Sequence, residues 1–240
     1  MLKKCLTKVL LSARAYPLLG EDVYQLEDYA HVDLSAERTK KLKVAIADYD
    51  GLNELIEHEK RAKNTKVLFG GYLEKRDIYN SRSLFICSDS ALTRNIHMGI
   101  DLFACQGDGV YVPFGGVVHS LGFDETGYGT VVILQHEVDD CLFYGLYGHL
   151  ELGVLRELKT GAILKQGERF ASLGDRHENG NWPPHLHFQL ILDMGSYQGD
   201  YPATCCDHNL EQYKKNCPDP LAVALITVGS KRKSLSVPKC

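Results

Sequence analysis

Hydrophobic and polar positions change their spacing near residue 84. Before it, Leu52, Leu55 and Ile56 recur at helical intervals among Asn53, Glu54, Glu57 and His58. That pattern predicts an amphipathic surface helix over 50–62, with the charge run 57–63 as its solvated face. Ser35 stands where it would cap a short helix through Lys41, with Glu37 in the first turn. Gly70-Gly71 marks a turn into a polar segment that ends at Ser83. From residue 84 onward, short apolar runs alternate with glycine-bearing turns, at 109–113, 116–121, 130–136, 142–149, 170–173 and 185–192. This texture predicts a mainly β protein, α+β overall, whose antiparallel sheet folds as a sandwich or partial barrel. Asp139-Asp140, between two of the runs, suits a hairpin turn. Past Asp193 the chain is punctuated by Gly195, Gly199, Pro202, Pro218 and Pro220; 221–228 reads as an apolar closing segment and Lys231-Arg232-Lys233 as a solvated tail. Three parts are expected: a helix-containing extension over 1–83, a β core over 84–195, and an irregular tail over 196–240 packed on that core.

Within the β region one stretch has an unusual polar face. In Pro184-His185-Leu186-His187-Phe188 the side chains alternate, so Leu186, Phe188, Leu190 and Leu192 share one side of a strand and His185, His187 and Gln189 share the other. Two imidazoles side by side on a strand with an apolar back invite a search for partners. The first candidate is His97-Met98-Gly99-Ile100-Asp101. Fully extended, it would hold the His97 and Asp101 backbones about 13 Å apart, too far for one ion. A bend is therefore expected, and Gly99 is the residue that tolerates one and leaves space above the backbone. The second candidate is Tyr147-Gly148-His149-Leu150, closing the run 142–149. Each motif alone has a plain structural explanation. Together they supply four histidines and one aspartate from three β segments, a nitrogen and oxygen donor set suited to Zn²⁺. A catalytic zinc takes three protein ligands, so two of the five side chains remain for proton chemistry.

In this order and spacing the motifs resemble the lysostaphin-type (LytM-like) zinc endopeptidases, which cleave peptidoglycan. The resemblance runs from about Arg94 to Leu192 and includes Pro113-Phe114-Gly115-Gly116-Val117-Val118 and Gly127-Tyr128-Gly129 beside the three histidine motifs. It implies the lysostaphin-type β core with a metal groove on one sheet. It also implies His97, Asp101 and His187 as ligands of one zinc per chain, and His149 and His185 as the catalytic pair. The expected substrate is a peptide in peptidoglycan stems or cross-bridges. Pro183-Pro184 stands where the family usually has Gly-Pro, and Gln189 where it often has glutamate; neither change removes a ligand. Two other readings share parts of this pattern: a binding module that keeps the fold without hydrolysis, and a two-histidine, one-carboxylate iron enzyme.

Composition adds limits. A net charge of −4, with 24% charged and 44% hydrophobic residues over 240 positions, offers no reason to expect nucleic acid or an acidic membrane as partner. No apolar run reaches membrane-spanning length. The first twenty residues begin like a signal peptide, but Lys8 and Arg14 interrupt the apolar stretch, so a structured N-terminus is expected. The eight cysteines form no CxxC pair and read as free thiols, with a Cys205–Cys217 bridge left open as the alternative. These two features favour a cytoplasmic location, and action on a cell envelope would require export. His119 and His136 are expected at strand margins; Trp182 suits either the groove or a packing role.

Overall fold

A computed structural model describes residues 6, 9, 14–20, 23–42, 48–81, 85, 86 and 93–225. In chain order the strands and first helices are β1 (Tyr29–His31), α1 (Ala36–Leu42), α2 (Tyr49–Lys63), β2 (Val67–Gly70), β3 (Ile96–His97), β4 (Ile100–Phe103), β5 (Gly109–Tyr111), β6 (Gly116–Asp124), β7 (Gly129–Val138) and β8 (Cys141–Leu150). There follow α3 (Val154–Glu157), β9 (Ile163–Leu164), β10 (Arg169–Ser172), β11 (His185–Ile191), β12 (Thr204–Cys205), α4 (Leu210–Asn216) and α5 (Leu221–Ala224). The main sheet has the order β1-β2-β4-β11-β8-β7-β6-β9 and stays open, with β1 and β9 at its edges. Its neighbours pair antiparallel except β1 with β2. Two small ribbons, β10-β5 and β12-β3, complete the β structure.

The alternation expected around the two histidines sets the two faces. Leu186, Phe188 and Leu190 of β11 enter one core with Ile100, Leu102, Leu134, Phe143 and Tyr147, and Val110, Val112 and Phe170 from the β5–β10 region close over it. This is the sandwich face. The opposite face carries the histidines, flanked by two smaller apolar clusters. One joins Leu52, Leu55 and Ile56 of α2 to Leu68, Phe103 and Trp182; the other joins Met98, Tyr128, Ile133, Leu146 and Ile191 to Met194 and Tyr201. Burying these large side chains, at about 1.5–3 kcal/mol apiece, stabilises the walls of that face.

Several local expectations meet their structure directly. The Ser35 hydroxyl accepts from the Arg38 backbone N–H at 3.3 Å and opens α1. Asp139 and Asp140 both have positive φ, 50° and 60°, in the two-residue turn between β7 and β8. Others are corrected. The charge run of α2 is not all solvated, because Glu59 is buried and paired with Arg38 at 2.6 Å and with Lys63. His136 sits two residues inside the end of β7, fully buried between Phe114 and Phe143 rather than at a margin. The extension over 1–83 supplies strands as well as helices: β2 pairs onto β4, and β1 onto β2. The free-thiol reading fails at Cys206, which is disulfide-bonded. Cys205 and Cys217 are free, so that bridge is not made; Cys205 turns to the Met98 sulfur at 3.3 Å, and Cys217 accepts from Gln189. Thiol pattern therefore gives no argument for a reducing compartment. Among the described residues no helix is long and apolar enough to cross a membrane. The tail at 231–233, positions 226–228 and most of the first twenty residues lie outside the described part.

Candidate metal centre and active site

The strand that would hold His97 and Asp101 too far apart is broken. β3 ends at His97, β4 begins at Ile100, and the chain bends at Gly99 between them. A Cβ on Gly99 would lie 2.5 Å from His187 Cε1, so the glycine makes room for the imidazole of the neighbouring strand. β11 pairs with β4 with His187 opposite Asp101, and with β8 with His187 opposite Gly148. Sheet register thus delivers His97, Asp101 and His187 to one point.

Their converging atoms are closely spaced. His97 Nε2 lies 2.9 Å from His187 Nδ1 and 3.3 Å from Asp101 Oδ1, and His187 Nδ1 lies 3.2 Å from the same oxygen. All three residues are buried. The outer ring nitrogens fix the tautomers. His97 Nδ1–H donates to the Gly71 carbonyl at 2.9 Å, which can only accept. His187 Nε2–H donates to Gln189 Oε1 at 3.1 Å, and Gln189 is oriented by donating its own amide to the Pro202 carbonyl. Both inner nitrogens are then bare lone pairs facing a carboxylate, with no proton among three acceptors. Such a trio repels itself unless a cation sits between its members. A tetrahedral zinc with bonds of about 2.0–2.2 Å spaces its donors by about 3.4 Å; the two nitrogen–oxygen separations come close to that, and the 2.9 Å between the nitrogens would open slightly around an ion. Donor chemistry, tautomers and spacing all fit a zinc ion.

Charge states agree. Burial pushes His97 down to about 4, against the opposing pull of Asp101, so it is neutral at pH 7. Burial alone would raise Asp101, but the charged surroundings, the Arg76 guanidinium among them, hold it well below the usual carboxylate range. Arg76 Nη1 donates to Asp101 Oδ2 at 2.6 Å, leaving Oδ1 toward the histidines.

Beside this trio stand the other two histidines. His149 closes β8 and His185 opens β11; their ring centroids are 4.1 Å apart. His149 Nδ1–H donates to the Asn179 carbonyl and His185 Nδ1–H to the Pro183 carbonyl, both at 2.7 Å. Each Nε2 is consequently a lone pair. His185 Nε2 lies 3.8 Å from Asp101 Oδ1. Burial and the neighbouring His185 and His187 hold His149 well below its ordinary value, and burial lowers His185 despite Asp101. Two rings this close cannot both be charged, so the pair can hold one proton between them.

Surrounding groups keep the pair in place. His185 stacks on Phe103 at 4.8 Å, and His149 meets the Trp182 edge at 6.3 Å. Trp182 both packs and lines the cleft, with its Nε1–H donated to the Gly127 carbonyl. Asn179 folds the 175–182 loop by bonding Gly174 and Trp182, which aims its own carbonyl at His149. Tyr128 stands over His187 at 5.3 Å. One cleft runs past all five motif side chains, walled on one side by Leu34, Leu52, Ile78 and Tyr79 and on the other by Asp200, Tyr201 and Ala203. The residues that motif reading misses are Arg76, Glu74 and Tyr79, all in the stretch read only as polar.

Residues 95–198 match Peptidase family M23. The chain is 32% identical over 107 residues to an L-Ala–D-Glu endopeptidase of Bacillus subtilis (strain 168), covering 42% of this chain and 31% of that protein. It therefore spans about a third of that relative's length. Among solved structures, the catalytic domain of the antimicrobial peptidase lysostaphin from Staphylococcus simulans is 23% identical, covers 50% of this chain and 80% of its own, and has a TM-score of 0.35. A zinc-containing peptidase from Vibrio cholerae is 24% identical over 43% of this chain and 29% of its own, at a TM-score of 0.33. His97, Asp101, His149, His185 and His187 all fall inside the M23-matched segment, whereas Gly71, Glu74 and Arg76 precede it.

Proposed function

We propose that this chain, with its M23 match over 95–198, is a zinc-dependent endopeptidase that hydrolyses peptide bonds of peptidoglycan stems or cross-bridges. The observation that carries the reading is the pair of neutral, tautomer-fixed histidines beside a trio of proton-free donors in one cleft. His97, Asp101 and His187 would hold the zinc. When bound, zinc supplies a Lewis acid that polarises the scissile carbonyl and lowers the pKa of a water. His149 and His185 then do the proton work. Either Nε2 lone pair can accept the proton of the attacking water, and the protonated ring can return it to the leaving amine. Burial favours the neutral rings before the reaction, and the adjacent carboxylate of Asp101 favours the imidazolium once the proton arrives. Gln189 and the Gly71 carbonyl keep the ligand rings from swapping tautomers. The peptidoglycan substrate is supported by the Bacillus subtilis relative, whose name specifies the L-Ala–D-Glu bond.

The test is mass spectrometry of peptidoglycan fragments after incubation with zinc-loaded protein. Wild type should release new peptide ends and contain about one zinc and no iron. His187→Ala should lose the zinc. His149→Ala should keep it and lose about 10²–10⁴ in rate. Retained zinc with no cleavage of any wall peptide would sink the proposal.

A further inference from the structure

Arg76 is a fully buried cation that the hydrolytic chemistry above leaves without a task. It belongs to the segment between β2 and β3, outside the M23-matched residues, yet it reaches a ligand of the proposed zinc. Its Nη1 bonds Asp101 Oδ2 at 2.6 Å and the Tyr79 hydroxyl at 3.2 Å; its Nε bonds Glu74 Oε2 at 2.6 Å. Glu74 is itself anchored, because its other oxygen accepts from the Leu34 backbone N–H at 2.9 Å. The guanidinium lies close beside Gly71, where an added Cβ would come 2.1 Å from Nη2. Gly71 has φ +109° and is the same residue whose carbonyl accepts from His97.

We infer that Arg76, braced by Glu74, is a positioning residue that fixes Asp101 so that the carboxylate offers Oδ1 alone to the metal; this rests on the zinc reading above. A free carboxylate can rotate about its last torsion and chelate through both oxygens. Here Oδ2 is occupied by a guanidinium whose fork is also held by Glu74 and Tyr79. An isolated arginine so close would repel a divalent cation. Glu74 cancels that charge, so the brace orients Asp101 while adding no net charge to the centre. The segment 71–76 thereby sets two ligands at once, His97 through a carbonyl and Asp101 through a salt bridge.

The experiment uses the full chain and a variant that removes the brace without changing net charge, Glu74→Gln with Arg76→Met. Zinc affinity is read by competition with a chelating dye, coordination by the visible spectrum of the Co²⁺-substituted protein, and folding by thermal melts. The double variant should melt as a folded protein, bind zinc about 10–100-fold more weakly, and show a weaker Co²⁺ spectrum as Asp101 chelates with both oxygens. Should that variant unfold, Arg76→Lys serves: a single ammonium cannot hold Glu74, Tyr79 and Asp101 together, so zinc affinity should again fall. Wild-type zinc affinity and an unchanged Co²⁺ spectrum in whichever variant folds would overturn the inference and leave the zinc reading intact. Failure of wild type itself to bind zinc would overturn both.

Discussion

His149 has φ +66°, in the left-handed region that a non-glycine residue enters at a cost. The surrounding bonds impose it: its N–H donates to the Tyr128 carbonyl, its carbonyl accepts from the Gly174 N–H, and its ring is held by Asn179. Strain at a side chain proposed to move protons means that removing the ring does not relieve the backbone. His149→Gly should therefore be more stable than His149→Ala by roughly 1 kcal/mol, read by urea denaturation, although both lose the imidazole. Equal midpoints would show that the bonds, not the residue, carry the conformation without strain. Gly99 makes the opposite prediction. Its absent Cβ is the space for the His187 ring, so Gly99→Ala should displace that ligand and abolish tight zinc binding while costing about 1–3 kcal/mol of stability. At this scale the five motif side chains are legible because strand alternation and short spacings reveal which residues share a face. Arg76 and the carbonyls of Gly71, Pro183 and Asn179 are not. A backbone acceptor has no residue type, and an arginine in a polar segment looks solvated until its partner is brought from a distant strand.

The strands of the β region stand close to where alternation puts them, because each buries one face and the pattern is local. The two-residue strands β9 and β12 fall outside those runs, and β1 and β2 are the larger exceptions. Val67-Leu68-Phe69-Gly70 is buried on every residue, and a four-residue run without alternation, following a strong helix, carries no sign of which sheet it joins. Its place beside β4 follows from long-range pairing alone, with Gly70 opposite Asp101. That pairing carries the chain directly into the Gly71–Arg76 segment at the metal centre. The β7–β8 hairpin is the better-marked element, and its turn is not optimised. Asp139 and Asp140 both adopt positive φ, the geometry of a type I′ turn that favours an asparagine followed by a glycine. The double substitution Asp139→Asn with Asp140→Gly should raise stability by about 1 kcal/mol, visible as a higher thermal midpoint with zinc binding unchanged. A lower midpoint would mean that the aspartate side chains hold the turn in a way its backbone does not reveal.

Across the whole molecule the sheet buries neutral histidines on both faces, and that makes the protein sensitive to acid. His97, His149 and His185 lie on the cleft face, where proton uptake is entangled with Asp101 and with metal. His136 lies apart from them, enclosed by Phe114 and Phe143, with its Nδ1–H toward the Gly115 carbonyl. Burial pushes it down to about 4 from an ordinary 6.5, with only backbone carbonyls opposing. Between those values the unfolded chain binds a proton that the folded chain refuses, so stability falls as pH drops. The contribution is complete above 6.5 and is lost as pH falls toward 4, at about 1.4 kcal/mol per unit and about 3 kcal/mol in all. Urea titrations of wild type and His136→Asn measure it, the asparagine amide retaining a donor for Gly115. Zinc-free wild type should lose stability more steeply than the variant across this window, and the two slopes should converge above it. Parallel slopes throughout would show that His136 takes up its proton in the folded state at no cost, and would place the acid sensitivity entirely on the cleft face.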